Sequence, residues 1–240
     1  MSYKNKKKGH IKGKYNKIYN YEDAKKKSLN FYESAVLAHQ SEKNGYENNK
    51  TKEKKDEFET FIWDKPFLRS LEWKRYEEIC MEFLRIKNCS ADVTCIGTDG
   101  GIDIKVKDNN GVVFAVAQCK SWAKVIGVSL IRELYGVMAA DRVKLGIFLT
   151  TSDYSKEALE FAKNKNLLLI DGDELIRLIN EMKENDKKRM CKIATEGDYT
   201  TPTCVNCNVK MVRRVSPNTG KDFWGCVNFP KCRRTMFVKS

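Results

Sequence analysis

Asp99, Gly100, Gly101 and Asp103 lead into a β-branched run, and Gln118-Cys119-Lys120 closes the next one. If the two runs pair, a carboxylate, an amide and an ammonium meet at one lip of a sheet. Phosphodiester hydrolysis uses such a set: a carboxylate for a divalent ion, a second oxygen ligand, and a cation beside the attacking water. Gln118 and Lys120 are two apart and share a face, while Cys119 points the other way. Alternation also turns Asp103 away from Ile102 and Ile104, placing both isoleucines on one face. A hairpin through Asn109-Asn110-Gly111 brings Asp103 beside Gln118 and within reach of Lys120. On these residues alone an ordinary Asp103–Lys120 ion pair explains the pattern as well as catalysis does. Asp99 reads more readily as a turn residue capping the Gly-Gly bend.

A further acid lies upstream, where Trp73, Tyr76, Cys80 and Phe83 recur at helical spacing behind Ser70, a residue able to cap that helix, which should run to about Lys87. Glu77 shares its row with Trp73, Met81 and Leu84. Glu78 shares its row with Lys74, Glu82 and Arg85, so Glu77 is the one that borders the apolar stripe. A carboxylate beside a buried seam needs a metal or a cationic partner, or its pKa moves. A salt bridge to a neighbouring Lys or Arg would satisfy it equally.

These residues need a scaffold, and the pattern supplies one. Pro66 marks its approach, and the folded body is expected over 58–183. Asp92–Gly97, Ile102–Lys107 and Val112–Cys119 read as a three-stranded meander. Leu130–Arg142 reads as a helix, Leu145–Thr150 as a buried strand, Ser155–Lys163 as a helix and Leu167–Ile170 as a strand. Asp171 or Asp173 can cap a last helix. The order predicts an α/β fold with a mixed sheet flanked by helices on both faces. Residues 1–57 read as a basic arm, patchily helical between Tyr21 and Lys43, followed by a polar linker. Residues 184–200 read as a second linker.

Cys204-x2-Cys207-x18-Cys226-x5-Cys232 has the spacing of one tetrahedral Zn²⁺ site. A segment of about 40 residues, 201–240, buries too little apolar surface to fold without such a staple. A small zinc-ribbon-like domain is expected there. Arg213, Arg214, Lys221, Lys231, Arg233 and Arg234 surround Phe223, Trp224, Phe229 and Phe237, a mixture suited to phosphate contact and base stacking. Phe223 and Phe229 are expected in the finger's own core, while Trp224, a candidate DNA contact, could serve either the core or the DNA. His10, His39 and the other cysteines, Cys80, Cys89, Cys95, Cys119 and Cys191, lack ligand spacing.

The net charge of +13 over 240 residues sits at the ends. Residues 1–17 carry +7 and residues 201–240 carry +7, which leaves −1 between them. Basic ends around a near-neutral body suit a polyanion such as DNA; a Lys run that is simply solvated remains the alternative for the arm. No run of about 18 apolar residues exists and the N-terminus lacks the apolar core of a secretory signal, so neither a membrane span nor export is expected. Nine cysteines then suggest a cytoplasmic chain with thiols and metal ligands rather than a disulfide framework.

Tyr76-Glu77, Thr98-Asp99-Gly100-Gly101-Ile102-Asp103 and Gln118-Cys119-Lys120 resemble the motifs of Mrr-type restriction endonucleases. Leu134-Tyr135-Gly136, Gly146 to Thr151, Glu157-Ala158 and Leu169 to Gly172 resemble that family too, so the likeness covers about residues 70–182. It implies a restriction-endonuclease-like fold of the PD-(D/E)XK superfamily with Gln118 in place of the usual acid. It also implies roles: Asp103 on Mg²⁺, Glu77 completing the metal site with the Cys119 carbonyl, and Lys120 orienting the water. Phe223-Trp224-Gly225-Cys226 and Asn228 to Cys232 resemble the C-terminal zinc finger of type IA topoisomerases, which implies DNA contact. The expected protein is a Mg²⁺-dependent DNA endonuclease of restriction type; foreign or modified DNA is one candidate substrate, and the sequence leaves the specificity open. Two alternatives stand beside it: a DNA-binding protein of repair or sensing that has lost turnover, and a nuclease specific for branched DNA. Double-strand scission by a single-site fold suggests a homodimer.

Overall fold

The computed structural model describes residues 61–87, 90–93, 101–107 and 110–238, the side chains of 90–93 excepted. The basic arm anticipated in the first 57 residues, together with His10, His39, Cys89, Cys95 and Asp99, lies outside them.

Asp64 opens α1 (Lys65–Ser70) by accepting the Phe67 amide at 2.7 Å, and Pro66 occupies the first turn, where no amide is required. The longer helix α2 (Trp73–Ile86) starts afresh. Its N-cap is Glu72, which makes no side-chain bond to its own helix. Ser70 therefore does not cap α2; it ends α1 and donates its hydroxyl to the Phe67 carbonyl. Tyr76, Ile79, Cys80, Phe83 and Leu84 form the buried face of α2. Glu82, expected on the polar row of Glu78, is buried as well, because Arg189 reaches it at 2.7 Å.

The central sheet has the order β1-β2-β3-β4-β5, formed by Ser90–Val93, Ile104–Lys107, Val113–Lys120, Leu145–Thr150 and Leu167–Ile170. The first three pair antiparallel and the last three parallel, so β3 is the strand at which the sheet changes sense. Between β3 and β4 comes α3 (Val128–Ala140), between β4 and β5 comes α4 (Lys156–Ala162), and α5 (Gly172–Asn180) follows β5. Ser155 and Asp171 cap α4 and α5 by accepting the amides of Ala158 and Glu174.

Alternation along the strands divides the core. Ala115, Ala117, Cys119, Ile147, Leu149, Leu168 and Ile170 face α1, α2 and α5. Val116, Phe148, Leu167 and Leu169 face α3 and α4. All six residues of β4 are buried, and each fully buried aliphatic side chain contributes about 1.5–3 kcal/mol. Ile102 and Ile104 fall in different layers, Ile102 with Val116 and Phe148, Ile104 with Ala117 and Cys119. The expectation of one shared face fails because regular pairing begins only at Ile104 and Gly101, at φ +85°, turns the chain just before it.

The body continues past Lys183. Residues 184–195 form α6 (Glu184–Thr195), whose Met190 and Ala194 join the α2 layer, and Arg75 donates to the carbonyls of Ile193 and Glu196. The expected linker is thus largely a packed helix. Beyond it, Thr203 and Lys210 form a bridge across the Cys204–Cys207 turn, and β6 (Val212–Val215), β7 (Asp222–Gly225) and β8 (Thr235–Phe237) make a small antiparallel sheet. Its centre is Cys204, Met211, Cys226 and Cys232, with Trp224 and Met236 packed on them. Among the described residues no helix is long and apolar enough to cross a membrane.

Candidate active site

Three elements converge at the C-terminal end of β3. Continuing the β2–β3 register, in which Ile104 faces Ala117, sets Asp103 opposite Gln118. The Asp103 amide donates to the Ala117 carbonyl at 3.0 Å, and its carboxylate Oδ2 accepts the Cys119 amide at 2.7 Å. A side chain thus replaces a carbonyl in the ladder, which fixes Asp103 and leaves Oδ1 unused by that bond. The Gln118 amide packs on Gly101, 3.2 Å from where a Cβ would stand. Cys119 turns its side chain into the α2 layer, so only its main chain faces the site.

Glu77 comes from the second turn of α2, half-buried. Burial pushes its carboxyl up from 4.5 to about 8; the neighbouring Asp103 charge adds to this and Lys120 opposes it. Burial likewise raises Asp103, against the pull of the Cys119 amide and of Lys120. The structure therefore brings Glu77, Asp103 and Lys120 into one electrostatic neighbourhood. Among the described residues neither acid forms an ion pair. Glu78, its neighbour, is bridged to Arg75 at 3.4 Å and faces elsewhere.

Sequence reasoning missed the residues that hold Lys120 in place. Its carbonyl accepts the Thr150 hydroxyl at 2.9 Å and the Thr151 amide at 3.2 Å. Thr151 and Ser152 donate their hydroxyls to the carbonyls of Trp122 and Ala123 in the following loop. All three are buried. The signal was present as a hydroxyl run closing an otherwise apolar strand.

Two carboxylates held close together beside a single ammonium, and protonated more readily than usual, have the chemistry of a hard divalent-ion site. Glu77 and Asp103 are the residues there that could hold such an ion, and Gln118 and the Cys119 main chain adjoin Asp103. Residues 68–179 match the sequence family described as restriction endonuclease, Mrr_cat. That segment is an Mrr-type domain. The chain is also similar to the type IV methyl-directed restriction enzyme EcoKMrr of Escherichia coli (strain K12), 32% identical over 97 residues, which cover 40% of this chain and 32% of that protein. It spans about a third of that relative's length. Among solved structures it is similar to the DNA modification-dependent restriction endonuclease AspBHI, at 15% identity and TM-score 0.42 over 63% of this chain and 45% of that one. A second is the MspJI restriction endonuclease in complex with a 27-mer oligonucleotide, at 14% identity and TM-score 0.36 over 57% and 33%. The Mrr-type match spans α2 to α5 and therefore all four of Glu77, Asp103, Gln118 and Lys120; α6 and the cysteine unit lie beyond it.

In that unit the sulfurs of Cys204, Cys207, Cys226 and Cys232 lie within 4.8 Å of one another, as a single tetrahedral ion requires. Arg213, Arg214, Lys221, Lys231, Arg233 and Arg234 are all exposed. Arg213 is paired with Asp222, Arg234 donates to Asn206, and the Arg214 guanidinium stands 5.6 Å over the Phe229 ring. Trp224 packs on the sulfur core, whereas Phe229, expected in that core, is 57% exposed. Phe229 follows the knuckle of Cys226 outside the small sheet, where no layer covers it. Register puts Arg214, Phe223 and Phe237 on one sheet face and Trp224 with Met236 on the other.

Proposed function

We propose that this protein is a metal-dependent DNA endonuclease whose centre is Glu77, Asp103, Gln118 and Lys120. The observation that carries the reading is the pairing of two half-buried carboxylates, each raised by burial, with the single ammonium of Lys120 beside them. Glu77 and Asp103 would hold Mg²⁺, with the Gln118 amide and the Cys119 carbonyl as neutral donors. The ion supplies charge for the crowded phosphate and lowers the pKa of bound water. Lys120 sets a fixed ammonium at the same phosphate, and the Thr150–Thr151 clamp on its carbonyl keeps that charge where it is needed. Asp103, locked by the Cys119 amide, presents one oxygen without reorganising.

The cysteine unit would bind Zn²⁺ and DNA, with Arg214, Phe229, Phe223 and Phe237 as the contact face and the other basic residues on phosphates. The modification-directed activity of EcoKMrr supports modified DNA as a substrate class. Two copies acting on opposite strands would account for double-strand cutting, and four cysteines at metal-ligand spacing suit the cytoplasm. A binding protein without turnover is the second reading, favoured by Gln118, since a neutral ligand holds Mg²⁺ less firmly than an acid. Plasmid incubated with Mg²⁺ decides between them. Asp103→Asn and Lys120→Ala should each abolish nicking while leaving DNA retention nearly unchanged; full nicking by either would remove this centre.

A further inference from the structure

Where the Mrr-type body meets the cysteine unit, three successive residues of one helix end do the gripping. Glu72 is buried and, unusually for an N-cap acid, ignores its own helix. One carboxylate oxygen accepts the Thr203 amide at 2.8 Å. The other accepts the Thr203 hydroxyl at 2.8 Å and the Lys210 ammonium at 2.7 Å. Trp73 donates its indole N–H to the Thr203 carbonyl at 2.8 Å, and Lys74 reaches the Asn208 side chain at 2.6 Å. The Glu72 amide itself donates to the Tyr199 carbonyl at 2.9 Å. Thr203, Lys210 and Asn208 all belong to the turn that carries Cys204 and Cys207, closed by the Cys204 amide on the Val209 carbonyl and the Asn208 amide on the Cys204 carbonyl.

The same helix carries Glu77 little more than one turn further on. We infer that Glu72 is a positioning residue: it locks the first turn of α2 to the metal-held knuckle and so sets Glu77 against Asp103. This rests on the endonuclease reading above. A four-sulfur core cannot keep this turn in shape without its ion, because the unit has little other apolar interior. Once the turn loosens, Glu72 loses its donors while still buried, and α2 must shift to bring the charge to water. Zinc occupancy of one unit thereby governs divalent-ion affinity in the other.

The test uses the full chain in four forms: unaltered and zinc-loaded, unaltered and zinc-stripped, zinc-loaded Glu72→Gln, and zinc-loaded Asp103→Asn. Mn²⁺ affinity is measured by electron paramagnetic resonance, and the Trp73 indole N–H is followed by NMR. Gln at 72 presents an amide N–H₂ to groups that are themselves donors. The expected result is a weakening of Mn²⁺ binding by about tenfold in the Glu72→Gln and zinc-stripped forms, the usual scale for a residue that orients a metal ligand. The Trp73 resonance should move in both. Should Glu72→Gln fail to fold, Thr203→Val removes one donor to the same carboxylate and should weaken Mn²⁺ binding in the same direction. Mn²⁺ binding that Asp103→Asn abolishes but the other changes leave within twofold overturns the coupling alone. Mn²⁺ binding indifferent to Asp103→Asn overturns the nuclease reading and the coupling with it.

Discussion

Replacing Glu77 with Gln should make the metal-free protein more stable at alkaline pH. The carboxyl ionises at about 8 in the folded chain against an ordinary 4.5. Below 4.5 both folded and unfolded chains hold the proton, and the full stability is present. Between 4.5 and 8 only the folded chain keeps it, so unfolding is increasingly favoured as pH rises, and the loss is complete above 8. The displacement corresponds to roughly 5 kcal/mol at most. Solvent reaching this half-buried side chain reduces that to about 2–3 kcal/mol. For a body of this size such a difference moves Tm by roughly 4–10 °C. Melting curves of the unaltered protein and Glu77→Gln in EDTA should therefore nearly coincide at pH 4 and separate by that amount at pH 8.5, the variant melting higher. Mg²⁺ should close the gap by raising only the unaltered protein, since it holds the ionised carboxylate. A Tm difference independent of pH, or a Mg²⁺ response shared by both proteins, would refute the argument.

Arg189→Ala strips the nearest cation from buried Glu82 and leaves Arg85 at 3.9 Å, so urea unfolding should show a loss of about 1–3 kcal/mol; no measurable loss means that α6 does not dock as described. On a single-stranded oligonucleotide, Phe229→Ala should weaken binding by about 1–3 kcal/mol without changing its salt dependence. Arg214→Ala should instead lower the slope of log affinity against log salt by about 1. Identical behaviour of the two variants would count against a division into stacking and phosphate contacts.

The sheet was legible in the sequence because its signals are local. β-branched runs, the Asn-Gly turn and the apolar string of β4 place strands without tertiary knowledge. Glu77 was separable from Glu78 by helical rows, since one row is nearly all apolar. α6 was missed because it offers Met190, Cys191 and Ala194, with Ile193 partly buried beside them, amid Lys, Arg, Asn and Asp, too weak a stripe to distinguish from a solvated tether. Glu72 gave no sign of its role, because its donors lie 131 and 138 residues away. Phe229 was misplaced in the cysteine unit for a related reason. Which face of a three-stranded sheet meets the sulfurs depends on register, and the four aromatic residues carry no local mark of it.

The bond from the Cys119 amide to the Asp103 carboxylate makes one side chain serve both as reagent and as masonry. A chain drifting toward inertness could drop Lys120, whose ammonium makes no hydrogen bond or ion pair among the described residues, with little structural penalty. Losing Asp103 to an apolar residue would instead orphan an amide in the middle strand. Silent relatives of this protein should therefore be found with the acid kept and the lysine gone, and a surviving aspartate here is poor testimony that the chain still cuts.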